Sequence, residues 1–403
     1  MINFKKEAEE ISAEIINIRR DIHKNPELGF EEYRTSSLIK KFLKDEGIKY
    51  TSVAGTGVCG IIQGNLGDKL SKKKVVALRA DIDALPILEK NDIIYKSQVN
   101  GKMHACGHDA HIAILLGTAK ILNKYKDKFS GIVKLLFEPA EETVGGAKFM
   151  IKEGVLDNPN VDIVIGLHVE ETLDVGKIMI KNSVVNAASN PFSIKVYGKG
   201  GHGAYPHMCV DPIVIAAKII SNLQTIVSRE IKPINPAVIT VGSIKAGEAA
   251  NVIPDEVILT GIIRTMTKED RAYVVKRVYD IATTVSTLMG GSCKVDIEES
   301  YPSLYNDNDV SKLVRDSAAE IIGKSNVIEQ ENPKMGVESF AYFAMERRAA
   351  FYFLGVKSKD EKTTYAAHSS RFNINEDAIP IGIAIQCLNA FNYLTKWIIK
   401  FSL

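Results

Sequence analysis

The sequence predicts an α/β fold: a mostly parallel sheet with helices on both faces, interrupted by a smaller inserted α+β domain. The first observation is that three short apolar runs stop abruptly at polar residues. Val75–Leu78 runs into Arg79-Ala80-Asp81-Ile82-Asp83, Ile132–Phe137 into Glu138-Pro139-Ala140-Glu141-Glu142, and Ile163–Leu167 into His168. The second is that helical periodicities from Ile112 to Leu122 and from Gly146 to Glu153 separate these runs, and strands alternating with helices pair in parallel. The third is length, since 403 residues exceed what one hydrophobic core usually supports.

Taken in order, Ile11, Ile15, Ile18 and Ile22 recur at helical spacing before Pro26, which predicts an amphipathic first helix. His23, at its edge, is expected to be a surface or capping histidine. A second helix through Leu38, Ile39, Phe42 and Leu43 ends near Gly47. Parallel sheets bind ligands beyond the carboxyl ends of their strands, so Asp81, Glu141, Glu142 and His168 should meet at one rim. The polar, small stretch Asn182–Asn190 marks entry into the second domain. That domain contains a strand at Phe192–Tyr197, a Gly/Pro-rich loop from Gly198 to Pro212 and a helix from Pro212 to Val227. Strand pieces at Val238–Val241 and Val257–Thr265 and a helix from Lys268 to Met289 complete it. The breakers around Tyr301-Pro302-Ser303 signal the exit, giving expected domains of 1–186 with 301–403, and 187–300. The remainder returns to helix, then a strand at Ala350–Gly355, a polar loop holding His368 and a last helix from about Ile379 to Leu394.

Composition excludes several classes. With 45% hydrophobic and 25% charged residues the chain is globular. Lys plus Arg (51) nearly balances Asp plus Glu (49), so no global field draws it to nucleic acid or an anionic membrane. No run is expected to approach a membrane span, the start lacks a signal-like apolar core, and a cytoplasmic location is expected. Cys59, Cys106, Cys209, Cys293 and Cys387 are odd in number and show no C-x-x-C pair, so reduced thiols are expected.

The chemistry concentrates in His104-Ala105-Cys106-Gly107-His108-Asp109-Ala110-His111, which holds three of the eight histidines and one of the five cysteines. Cys106 and His108 share a side only in a loop, whereas His104, His108 and His111 align only on a helix. The competing description is a helix N-terminus with incidental histidines, for which Asp109 is a reasonable cap; association with strand-end partners favours the loop, with His104 and His111 packing around the site. Glu141 and Glu142 are adjacent, so one can hold a metal while the other takes a proton from water; an acidic helix N-terminus explains the pair almost equally well. His168 and His368 add imidazoles. Cys106, His108, a glutamate and these two histidines make about five ligands, too many for one tetrahedral zinc and suited to two metals. Gly198-Lys199-Gly200-Gly201-His202-Gly203 formally matches G-x-G-x-x-G. Pro206 and Pro212 interrupt the required helix, and no acidic residue stands at the required distance, so a Rossmann site is rejected. Two rivals from other classes remain, a metal-binding protein without catalysis and a nicotinamide oxidoreductase that rests on the glycine loop alone.

The ordered set also resembles a known family. His23-Lys24-Asn25-Pro26-Glu27-Leu28, Arg79–Pro86, the histidine-rich stretch, Glu138–Glu142, Gly166-Leu167-His168-Val169, Gly200–His207, Asn251-Val252-Ile253-Pro254 and His368-Ser369 are similar to the aminoacylase-like dinuclear metallohydrolases. Within these they resemble the subgroup of hippurate hydrolases, N-acyl-amino-acid amidohydrolases and indole-acetyl-amino-acid hydrolases. The resemblance implies that Cys106, His108, Glu142, His168 and His368 hold two divalent ions (Mn, Zn, Co or Ni), with Glu141 as general base. It places Asp81 at a conserved H-x-D aspartate and Arg79 where the wider family has a histidine ligand. His202, Asn251 and Arg264 fall at lid positions that contact substrate, His202 steadying the oxyanion and Arg264 the substrate carboxylate. It further implies an inserted lid that dimerises, and amide hydrolysis of N-acetyl or aromatic N-acyl amino acids, with a metallocarboxypeptidase or dipeptidase as runner-up. Two departures stand out: Ser339 where the subgroup usually has Asp, and Ser370 where it has proline.

Overall fold

The structure is a computed structural model that describes residues 2–66, 73–357 and 365–396. Helix α1 (Phe4–Lys24) starts at Asn3, whose side chain accepts from the Lys6 amide at 3.1 Å, satisfying a donor the first helical turn leaves open. Its buried stripe is Phe4, Ala8, Ile15 and Ile22. Next come α2 (Tyr33–Asp45), β1 (Lys49–Val53), β2 (Gly57–Gln63) and β3 (Val75–Asp81). After a long loop follow α3 (His108–Lys124), β4 (Ile132–Glu138), α4 (Glu141–Val144), α5 (Ala147–Lys152), β5 (Ile163–Asp174), β6 (Ile178–Ile180) and β7 (Ser183–Asn186).

The middle of the chain forms β8 (Ala188–Tyr197), β9 (Gly201–His202), α6 (Pro212–Thr225), β10 (Ala237–Ala246), β11 (Val252–Ile253), β12 (Glu256–Thr265), α7 (Lys268–Leu288) and β13 (Ser292–Ile297). The remainder comprises β14 (Leu304–Asn306), α8 (Asn308–Ile322), β15 (Val327–Glu329), α9 (Phe340–Glu346), β16 (Arg348–Lys357) and α10 (Ala378–Thr395). The chain divides into two compact units: Met1–Val185, Tyr305–Asn332 and Ser339–Leu403 in one, Asn186–Leu304 and Pro333–Glu338 in the other. The short return at Pro333–Glu338 has no helix or strand of its own, so no periodicity announces it.

The first unit is built on an eight-stranded sheet of order β1-β2-β4-β3-β5-β16-β6-β15. Its centre is parallel, β4 with β3, β3 with β5 and β5 with β16; β1 with β2, β2 with β4 and β6 with β16 are antiparallel, and β15 runs parallel to β6. Strand alternation assigns the faces. Val76, Leu78, Val133, Leu135, Ile165 and Leu167 join the core with α1, α3 and α10. The intervening residues point the other way, where Phe340 of α9 lies so close over Gly166 that an added Cβ would stand 2.8 Å from its ring. Arg79, Asp81, Glu138 and His168 share the parity of Gly166, so the sheet places them on the α9 face.

The second unit has an antiparallel sheet, β10-β12-β8-β13. One face packs Ile194, Val196, Leu259 and Ile263 against Ile215, Ile219, Val274 and Val278 of α6 and α7. The alternate residues, including Ser193, Thr240, Thr260 and Asp296, line an open groove. Gly261 is inward by parity, and the Phe192 ring takes the place of its missing side chain, 2.3 Å from an ideal Cβ.

Two expectations are corrected here. β5 does not stop at His168: its ladder to β16 continues through Phe353↔His168 and Leu354↔Val169, because a polar residue on one face of a strand does not interrupt backbone pairing. One stretch does reach membrane-span length and apolarity, α10, but 78% of it is buried inside the protein. It is a core helix, apolar all round because neighbours cover it all round.

Candidate metal centre

The histidine-rich stretch is neither wholly loop nor wholly helix. Cys106 precedes α3, Gly107 is its N-cap in left-handed conformation (φ 86°), and His108 opens the helix. Only glycine suits that position, since a Cβ would stand 2.3 Å from Val169 Cγ2 besides being strained. The turn aims Cys106 and His108 at one place. Asp109 is not the cap, because that post belongs to Gly107; it lies fully buried against Arg19 Nε at 2.7 Å and His23 Nδ1 at 2.8 Å. His23 is likewise no surface residue. It is fully buried, with Glu89 Oε1 3.3 Å from its Nε2.

The second pair of acids follows a strained turn. After β4, Ala140 takes a left-handed conformation (φ 52°), which costs of order 1 kcal/mol in a non-glycine residue. Its amide is held by Glu32 Oε1 at 2.8 Å. Glu141 and Glu142 then begin the one-turn helix α4, so both the strand-end and helix-start descriptions apply. The Glu142 amide donates to Asp83 Oδ2 at 2.9 Å, and the Glu141 carboxylate accepts from the Ser339 amide at 2.9 Å. His368 sits in its loop with φ 66°, its amide donating to the Ala105 carbonyl at 2.8 Å.

These elements converge. Ligand atoms of Cys106, His108 and His168 lie within 4.8 Å of one another, as do those of Cys106, Glu142 and His368, and of His108, Glu141 and Glu142. Cys106 belongs to both of the first two triads, so the donors that would hold a pair of ions form one continuous cluster. The imidazoles are oriented for this. His108 Nδ1 faces the Asp83 carbonyl at 2.9 Å and His168 Nδ1 the Val169 carbonyl at 2.6 Å. Each Nδ1 therefore carries the proton and leaves the Nε2 lone pair to the centre. His168 Nε2 stands 3.3 Å from Cys106 Sγ.

The fit to a metal rests on orphaned atoms. His108 Nε2 and Glu142 Oε1 are buried without a hydrogen-bond partner and lie 3.8 Å apart; His368 Nε2 approaches Glu142 Oε1 to 3.3 Å without hydrogen-bond alignment. Buried polar atoms are ordinarily satisfied, and a cation between these would satisfy both. Burial and the neighbouring Glu142 push the Cys106 thiol well above its ordinary range, so a thiolate there needs a cation beside it. Burial opposes protonation of His108, but Asp81 and Cys106 outweigh it and raise its pKa well above the ordinary value.

Asp81 faces inward to the protein's own groups. Its Oδ1 meets His111 Nδ1 at 2.5 Å and its Oδ2 meets Arg79 Nη1 at 2.7 Å, with His108 Nε2 at 3.6 Å. Burial opposes its ionisation, yet Arg79 and the histidines hold its carboxyl well below the usual range. His111 Nε2 accepts from the Val169 amide at 2.9 Å, so its proton is on Nδ1, and burial lowers its pKa to about 4. His104 is buried with both ring nitrogens unpartnered and its pKa is lowered by burial to about 3. Asp83 and Glu138 were not singled out from sequence as members of the site, and their only signal was their place inside the Arg79–Asp83 and Glu138–Glu142 segments; Ser339 was marked only as a departure from the resembling pattern.

Within the second unit His202 and Asn251 are exposed neighbours on a ribbon in which β9 pairs β11, with Val252 opposite His202 and the Gly203 amide donating to the Asn251 carbonyl at 2.8 Å. The glycine run thus lies beside a two-stranded ribbon, and α6 starts only after the Asp211 cap. Arg264 is near the far end of β12, opposite Ser189. Its Nη1 is buried without a partner, and burial lowers its pKa.

Fold and site together define a metal-dependent hydrolase of amide bonds. The chain belongs to the Peptidase family M20/M25/M40, which residues 77–390 match. It is 38% identical over 397 residues to thermostable carboxypeptidase 2 of Saccharolobus solfataricus, covering 97% of this chain and 98% of that one. It is 40% identical over 370 residues to the N-acetyl-L-cysteine deacetylase of Bacillus subtilis, covering 92% and 85%. Among solved structures, the YXEP protein of Bacillus subtilis, a dinuclear metal binding peptidase from the M20 family, aligns with a TM-score of 0.82 at 31% identity, covering 96% of this chain and 99% of that one.

Proposed function

We propose that this protein hydrolyses the amide joining an acyl group to an amino acid. The observation that carries the reading is a buried carboxylate, Glu141, within 4.8 Å of the ligand atoms of His108 and Glu142, residues whose Nε2 and Oε1 are buried without a hydrogen-bond partner. Cys106, His108, Glu142, His168 and His368 would hold two divalent ions, which acidify water and polarise the scissile carbonyl when bound. Glu141 takes the proton of the attacking water and returns it to the leaving amine. Asp81 and Asp83 orient His111 and His108 from behind. The unpartnered guanidinium of Arg264 suits the free carboxylate of an amino acid.

His202 and Asn251 serve the same reaction from a second copy of the chain. The ribbon that carries them joins the β12 end near Asp255, and Arg264 lies eight residues further along that strand, about 26 Å at 3.3 Å per residue. One small substrate cannot touch both ends of a single second unit.

The deciding experiment is Glu141→Gln assayed on N-acetyl and N-benzoyl amino acids, with metal content measured in parallel. Turnover should fall about 10²–10⁴-fold, the usual worth of a positioned base, with metal retained; near-normal turnover ends the assignment. Mixing Glu141→Gln with His202→Ala protomers should restore activity, since one composite site then holds both groups. Absence of restoration in verified mixed oligomers places His202 with its own chain. A carboxypeptidase is the second reading, favoured by the match to the Saccharolobus enzyme; preference for dipeptides in the same assays would select it.

A further inference from the structure

We propose that Ser339 is a positioning residue for Glu141, held in place by Arg79 and Glu138; the proposal rests on Glu141 being the proton-transfer group. Ser339 occupies the N-cap of α9, yet its side chain makes no capping bond, although serine at that post ordinarily caps. Its hydroxyl donates instead to Glu138 Oε1 and accepts from Arg79 Nη2 at 3.1 Å. Its backbone amide donates to Glu141 Oε1 at 2.9 Å. The residue is fully buried.

The hydroxyl is tied to the rigid centre of the sheet. β3 and β4 run parallel with Asp81 opposite Glu138, which would crowd two carboxylates together. Arg79, on the same face of β3, separates them, with Nη1 2.7 Å from Asp81 and Nε 2.6 Å from Glu138. A planar guanidinium can span three such partners at once. Two strands and the start of α9 are thus joined at one buried point.

Both ends of the Ser339–Glu141 bond need such an anchor. Glu141 stands on a one-turn helix entered through left-handed Ala140, which has little stiffness of its own. Ser339 is the first residue after the chain returns from Pro333–Glu338 to the first unit, where no strand ladder fixes the peptide plane. The hydroxyl fixes it by donating and accepting together. An ionised carboxylate at this position could accept from Arg79 but could not donate to Glu138.

The test compares Ser339→Ala, Ser339→Thr and Ser339→Cys with Glu141→Gln in the metal-loaded protein, reading kcat, KM and bound metal. Ser339→Ala should lose about 10–100-fold in kcat, the scale of a misplaced catalytic group, with KM and metal content unchanged. Ser339→Thr keeps the hydroxyl and should recover most of the loss. If the alanine variant fails to fold, Ser339→Cys, of similar size but a weak donor, should show the same kcat loss. The proposal is overturned by a kcat within about twofold of wild type in the alanine or cysteine variant, on the same scale. It is equally overturned by metal loss in step with kcat, by an effect carried by KM, or by a threonine variant as impaired as alanine. An active Glu141→Gln removes the base itself, whereas an inactive Glu141→Gln beside a fully active Ser339→Ala leaves the base standing and removes only the role of Ser339.

Discussion

The two sheets of this protein handle polar groups in opposite ways. In the second unit the sheet is covered on one face only, and Ser193, Thr240, Thr260 and Asp296 line its open side. In the first unit helices cover both faces, yet Arg79, Asp81, Glu138 and Lys134 are all buried in the central strands. Without water to solvate them such groups must find protein partners, and each does: Lys134 reaches the Val155 carbonyl at 2.7 Å, and the others bond one another. The consequence is functional. Forced pairing makes a stiff scaffold that holds catalytic groups to fixed positions, while the solvated unit displays the exposed His202 and Asn251.

The largest expected effect probes that stiffness. Asp109→Ala removes the carboxylate shared by fully buried Arg19 and His23, leaving them Glu376 and Glu89 respectively, and breaking a buried pair of this kind costs about 3–5 kcal/mol. Because Asp109 sits beside His108 at the start of α3, bound metal should fall as well. Urea denaturation and metal analysis measure both; unchanged metal content would show the scaffold and the centre to be separable.

Ile219→Ala, in the core between α6 and the second sheet, should cost about 2–4 kcal/mol through its cavity with metal content unaffected. If metal is lost here too, the contrast between a stiff catalytic unit and an independent second unit fails.

The smallest effect is a pH dependence. Burial opposes protonation of His23, but Asp109 and Glu89 outweigh it and its pKa is raised above the ordinary 6.5. The charged form therefore contributes stability that is complete below pH 6.5 and is lost as pH rises through the folded value. Wild type should lose more unfolding free energy than His23→Gln on going from pH 6 to pH 9; identical losses in the two would refute the assignment.

The residues of the candidate metal centre stood out in the sequence because their types are rare and their positions repeat a rule. Cys106 and His108 stand in a dense cluster, and Glu141, Glu142 and His168 follow apolar runs that could only be central strands. His23 was misread because a histidine at a helix end is locally ordinary, and the burial of Asp109 against it had no local signal. Ser339 had only its departure from the resembling pattern to mark it, since its contact with Glu141 spans 198 positions of sequence.

Periodicity and composition by themselves determined the fold class, the alternation of β3, β4 and β5 with helices and the chemical types at the ends of those strands, because these follow from local spacing of apolar and polar residues. Tertiary structure alone decided which nitrogen of each imidazole faces the centre, which carboxylate of the Glu141–Glu142 pair is anchored by an amide, and that Arg79 is shared among three partners. Those outcomes depend on distances of a few ångströms between segments remote in the chain, which no local pattern encodes.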